Sequence, residues 1–144
     1  MKGGPENVMD YNCSRCKNLK DLKHAPKTIK GNFICDYCPR IKSLEGLPEK
    51  VEYLFCAGCE NIETLNGAPK KIGRDFSCIS CKKLASFNGG PEEIGGSFMC
   101  NTCPSLESLE GFPNKVGEDV YCYQTKFKEE DIRNVCDVKR NVYC

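Results

Sequence analysis

Cysteines recur in pairs three residues apart at Cys13/Cys16, Cys35/Cys38, Cys56/Cys59, Cys78/Cys81 and Cys100/Cys103. Eighteen residues separate the first pair from the second, which is a spacing that suits a zinc site. Four thiolates can close a tetrahedron with Zn–S distances of about 2.3 Å. Five pairs used two at a time leave one unmatched, however, and the odd count of thirteen cysteines means that disulfides alone could not pair every thiol within one chain. Nucleophilic catalysis has little to work with, because His24 is the only histidine and can serve as base to at most one thiol. No glycine-rich phosphate loop precedes a helix, and the Gly89-Gly90 and Gly95-Gly96 doublets fall at chain turns. The adjacent Lys70-Lys71 and Glu92-Glu93 occupy the same place in successive units and read as solvated loop charges.

The cysteines belong to a larger periodicity. Proline returns at Pro5, Pro26, Pro48, Pro69, Pro91 and Pro113, in steps of 21 or 22 residues. Val or Ile follows (Val8, Ile29, Val51, Ile72, Ile94, Val116), then a bulky apolar residue (Tyr11, Phe33, Leu54, Phe76, Phe98, Val120) two positions before the first Cys. The sixth copy supplies Cys122, with Thr125 in place of the second Cys. Apolar residues stand three and six positions after the second Cys: Leu19 and Leu22, Ile41 and Leu44, Ile62 and Leu65, Leu84 and Phe87, Leu106 and Leu109. Most units close on Gly shortly before Pro, and His24 takes that place in the first.

Each unit has a physical reading. The pattern Tyr11-x-Cys13 and its copies alternates by two, as a short half-buried strand does. After the second Cys the spacing opens to three and the chain turns; Gly supplies unusual φ and Pro an extended re-entry. One unit cannot close a core, whereas six stacked units bury continuous columns of side chains. A mainly β repeat solenoid is expected, with a parallel sheet of one short strand per repeat. In it the first and second Cys both point inward and act as small apolar groups. This thiol ladder is the favoured account of the pairs, with no cofactor and no metal; zinc or iron binding by the pairs is the alternative.

Val8-x-x-Tyr11-x-Cys13-x-x-Cys16-x-x-Leu19 resembles the core of the leucine-rich repeat family in its cysteine-containing form. In that form Cys stands where Asn normally bonds the turning backbone. The Pro-x-x-Val entry and the unit length are similar to short bacterial repeats, and the closing "EGLP" and "EGFP" resemble units encoded by bacteriophages and prophages. The resemblance covers residues 4 to about 125. It implies a solenoid with a binding surface, and its phage-like form implies a bacterial host protein as partner.

The chain of 144 residues fits one domain, with repeats over 1–125 and a cap over 126–144. Its formal charge of +1 supplies no global attraction for nucleic acid or anionic lipid, so neither is expected as a partner. "MKGGPENVMD" has no signal-peptide core and no stretch is long enough for a membrane span; a cytoplasmic protein is expected. Thirteen cysteines without a signal peptide suit metal ligation or reduced burial better than bridging. Toward the C-terminus, Glu129, Glu130 and Asp131 suit a helix start, with Ile132, Val135 and Cys136 on one face. A seventh strand is expected from Val142-x-Cys144, paired beside Val120-x-Cys122.

Strand residues that alternate with the buried ones must face solvent. Three such columns run along the units and expose Ile, Phe, Met and Tyr flanked by acids. Grouped apolar side chains of this size mark interaction sites. Tyr53, Phe55, Met99, Tyr121, Tyr123 and Ile34 are therefore the expected contact residues for a protein partner, with Asp75 and Asp119 adding charge complementarity. The protein is read as non-enzymatic. It is expected to be a monomer, or a weak homodimer through the open edge strand around Val8 to Cys13.

Overall fold

The computed structural model describes residues 6–144; Pro5, the first of the proline column, lies outside them. The chain winds as a parallel β-solenoid of about six turns, each about 22 residues long, and ends in a short helix and a final strand. Its principal sheet has seven parallel strands: Tyr11–Asn12, Asn32–Ile34, Tyr53–Phe55, Phe76–Ser77, Phe98–Met99, Val120–Tyr121 and Val142–Tyr143. Neighbouring strands pair with exact repeat register, Phe33 opposite Leu54, Leu54 opposite Phe76, and Phe76 opposite Phe98. Because parallel neighbours cannot be joined by a hairpin, the chain must travel around the core between them.

The Val/Ile column adds a second, narrower ladder to each turn. Asn7–Val8 pairs with Thr28–Ile29, and Lys71–Ile72, Glu93–Ile94, Lys115–Val116 and Asp137–Val138 form a four-stranded sheet. Val51 joins that sheet through a single bridge to Ile72. The two ladders face one interior. Phe33, Leu54, Phe76 and Phe98 enter it from the principal sheet, Ile29, Ile72 and Ile94 from the second, and Ile41, Ile62 and Leu84 from the turn after the second Cys; all are buried. The phenyl rings continue from rung to rung, with Phe76 and Phe98 stacked at 5.2 Å and Phe87 set edge-on to Phe112 at 5.1 Å. Burying one such side chain contributes roughly 1.5–3 kcal/mol.

Two backbone positions per turn make this winding possible. Between the first Cys and the second, or Thr125 in the sixth turn, stands a residue with positive φ: Arg15, Tyr37, Gly58, Ser80, Thr102 and Gln124, with φ from 56° to 67°. This left-handed step bends the strand so that the second Cys also points inward. The other position is Gly46, Gly67, Gly89 and Gly111, each at positive φ and in the third place of a turn closed by Leu47 N–H to Leu44 O (3.2 Å) and its equivalents. A positive φ there is what a type II turn requires. A Cβ on Gly67 would also strike the backbone of Glu45 one turn below. His24 has no positive φ, although Ala25 N–H still closes the first turn onto Leu22 O at 2.9 Å.

The cap replaces one turn of the coil. The helix Glu129–Val135 carries Glu129, Glu130 and Asp131 in its first turn, and Asp131 accepts the Lys128 N–H at 2.8 Å. Ile132 and Cys136 are buried, whereas Val135, expected on the same face, is 46% exposed. The helix is only seven residues long, so its buried stripe narrows to Ile132 before the chain leaves at Cys136. The last strand pairs as expected, Val142 opposite Val120.

Candidate functional site

The cysteine columns form a hydrogen-bonded ladder along the interior. Each second Cys donates its thiol to the carbonyl of the first Cys one turn earlier: Cys38 to Cys13 (3.1 Å), Cys59 to Cys35 (3.0 Å), Cys81 to Cys56 (3.3 Å) and Cys103 to Cys78 (3.2 Å). Cys16 has no earlier turn among the described residues and is exposed. Thr125, which replaces the last member, turns its hydroxyl to Cys122 O at 2.8 Å.

The first thiols of the pairs, Cys13, Cys35, Cys56, Cys78 and Cys100, are held protonated. A hydrogen bond to the neighbouring thiol, together with burial, pushes Cys35, Cys56 and Cys78 well above the usual thiol range. The same bond lowers the partners Cys59 and Cys103, the members on which any charge of the pair falls. Burial raises Cys100, and it raises Cys13 to about 12. Among the described residues no group of three or more His, Cys, Asp or Glu side chains is placed to hold a metal ion.

The expectation of reduced inward thiols fails at Cys122, which forms a disulfide with Cys144. Consecutive first cysteines are one rung apart, here 4.8 Å between Cα atoms, a separation that a disulfide spans.

The solvent face of the principal sheet carries the expected contact residues in two groups. Strand register sets Ile34 beside Phe55, and the Tyr53 and Phe55 rings lie 6.0 Å apart. Farther along, Met99 pairs beside Tyr121, and Tyr121 beside Tyr143. Tyr121 stacks on Tyr143 at 4.9 Å, and Tyr123 lies 6.4 Å from the same ring. Tyr123 and Tyr143 are 44% and 36% exposed; the other aromatic members are half-buried by their neighbours. Ser77, between Phe55 and Met99 in the same column, is only 4% exposed and separates the two groups.

Tyr143 is absent from the residues expected at this site, although Asn141-Val142-Tyr143-Cys144 repeats the strand pattern and places it in the outward column. Partial desolvation and the nearby Asp119 carboxylate raise the Tyr121 phenol above its ordinary pKa, keeping it neutral.

Asp75 and Asp119 also have work inside the fold. The Asp75 Oδ1 accepts the Ser97 N–H at 2.8 Å, and the Asp119 Oδ1 accepts the Asn141 N–H at 2.9 Å. Asp10 and Asp36 make the equivalent bonds to Asn32 and Ala57, both at 2.7 Å. Each carboxylate thus fastens its rung to the next and is itself held in one orientation.

No protein-family model matches the chain, and comparison with curated proteins and with solved structures likewise finds no match. Among the described residues no helix is long and apolar enough to cross a membrane.

Proposed function

We propose that the chain is a non-enzymatic, leucine-rich-repeat-like module that binds a protein partner through the solvent face of its principal sheet. The carrying observation is the stacked cluster of Tyr121, Tyr123 and Tyr143, presented in register on a parallel sheet. Aromatic rings held by their neighbours lose little conformational entropy on binding, and such anchors carry much of the energy of an interface. The leucine-rich reading draws on the apolar positions after the second Cys and on the thiol-to-carbonyl bonds at the place of the family's Asn. The phage-like unit endings favour a cytoplasmic bacterial host factor as partner.

The test compares Phe55→Ser with Tyr121→Ser against the turn control Lys70→Ser with Glu92→Ser, by pull-down from bacterial lysate and thermal melting. The face variant is expected to stay folded and to lose a partner that the control keeps. Retention of every partner by a folded face variant would refute the reading. Stoichiometric zinc or iron in protein purified without added metal would replace it with ligation by the Cys pairs.

A further inference from the structure

On the reading of the strand face as a protein-binding surface, we propose that its partner presents an extended segment bearing lysine or arginine. The observation is a segregation of charge. The three outward columns of the principal sheet contain Asp10, Asp36, Asp75 and Asp119 and no lysine or arginine, although the chain carries 21 basic residues. Some acids elsewhere on the molecule meet cations, as in Lys82–Glu60 at 2.6 Å and Lys71–Glu93 at 3.1 Å. None of the four face aspartates has such a partner among the described residues.

The internal hydrogen bonds do not explain these charges. Asn101 Oδ1 accepts the Tyr123 N–H at 2.8 Å and fastens one rung to the next as Asp36 does, with a neutral amide. Asparagine would therefore serve the fold at the aspartate positions too. What the carboxylates add is fixed negative charge beside aromatic rings, with Asp119 two residues before Tyr121 on the same face of the strand and near enough to act on its phenol. Carboxylates and ring faces together attract cationic side chains by ion pairing and cation–π contact.

The spacing also limits the ligand. Asp75 and Asp119 are two rungs apart in one column, about 9.6 Å at the usual strand separation. On an extended segment of the polyproline II type, with three residues per turn, basic residues three apart project from one face about 9.3 Å apart and match it.

The probe is a fluorescent twelve-residue peptide of repeated Lys-Ser-Gly, with Glu-Ser-Gly as its counterpart, followed by anisotropy. Three proteins are compared: the native chain, a face variant (Asp36→Asn, Asp75→Asn, Asp119→Asn) and a turn variant with the same charge change (Glu49→Gln, Glu107→Gln, Glu110→Gln). The lysine peptide is expected to bind the native chain, the face variant roughly tenfold more weakly, and the turn variant within about twofold, with binding weakened by salt. Equal losses in the two variants, or no binding of the lysine peptide, would overturn the proposal, as would preference for the glutamate peptide. Asp119→Asn alone carries the comparison if the triple variant melts early. If the Phe55 and Tyr121 variant loses its protein partner while the aspartate variant keeps it, the face remains a binding site and the basic segment is refuted.

Discussion

At the scale of single residues, the winding depends on backbone positions that most side chains disfavour. Thr102 sits at φ 58° between Cys100 and Cys103, where the equivalent third-turn residue is Gly58. Left-handed φ costs an ordinary residue about 1–2 kcal/mol, and asparagine tolerates it better. Thr102→Asn is therefore expected to stabilise the protein by about 0.5–1 kcal/mol in urea unfolding. Gly67→Ala combines a φ of +89° with a clash against the Glu45 backbone; its expected cost is roughly 2–4 kcal/mol. An unchanged midpoint for Gly67→Ala would mean that this turn is not built as described.

The thiols set a pH limit at the same scale. Burial raises Cys100 in the folded chain above the ordinary value of 9.0, so the unfolded chain ionises there first. Its contribution to stability is complete below that pH and declines as pH rises above it, by up to about 1.4 kcal/mol per unit. The lowered members Cys59 and Cys103 oppose part of this trend for their own pairs. A urea midpoint that falls between neutral pH and about pH 10.5, and falls less in Cys100→Val, is the expected result.

At the scale of elements, the side-chain hydrogen bonds from the C-terminal helix to the segment after it come from one residue. Arg133 donates to Glu129 on its own helix at 2.7 Å, and to the carbonyls of Val138 (3.2 Å) and Arg140 (2.9 Å) beyond it. Ile132 fills the space beneath. Arg133→Met leaves those carbonyls without their donor and should speed hydrogen exchange at Lys139 and Arg140, whose amides bond the preceding turn. Ile132→Ala should cost roughly 2–5 kcal/mol by opening a cavity in the cap. Exchange confined to the global unfolding rate in both variants would argue against a separately opening cap.

At the scale of the whole molecule, each turn touches chiefly its neighbours, so accessibility follows position along the coil. Cys16 is exposed, Cys13 half-buried, and the other free thiols are buried from Cys35 to Cys136. A thiol reagent is expected to modify Cys16 rapidly and Cys13 next, with the remaining free thiols reacting only as the protein unfolds. Rapid labelling of most thiols in native protein would contradict the closed interior. The strand Tyr11–Asn12 pairs on one side only among the described residues, and an unpaired edge can accept a second chain. Light scattering should then show weak association that rises with concentration; a strict monomer would exclude dimerisation through this edge.

The amino-acid sequence determined the repeat itself, because the Pro, Val/Ile, aromatic, Cys and Leu columns share one period, and only a stack of like turns buries all of them together. It also marked the inward and outward columns, since side chains alternate along a strand and a slip of one residue would reverse every assignment. The narrower ladders, through Val8 and Ile29 and from Ile72 to Val138, were not legible as sheets, because each copy offers one Val or Ile with no second repeating apolar residue two positions away, whereas the principal strands carry an aromatic or aliphatic residue and a Cys at that spacing. Tertiary structure alone decided the use of Asp75 and Asp119, which depends on an amide 22 residues away coming within reach of a carboxylate. It decided Val135 in the same way: helical spacing placed this residue with Ile132 and Cys136, but only those two are buried and Val135 stays exposed. The pairing of Cys122 with Cys144 and the stacking of Tyr143 on Tyr121 likewise required the seventh rung to be set against the sixth. Periodicity in a sequence fixes which residues are equivalent, but contact between equivalent residues exists only once the coil has closed and brought them within a strand's separation.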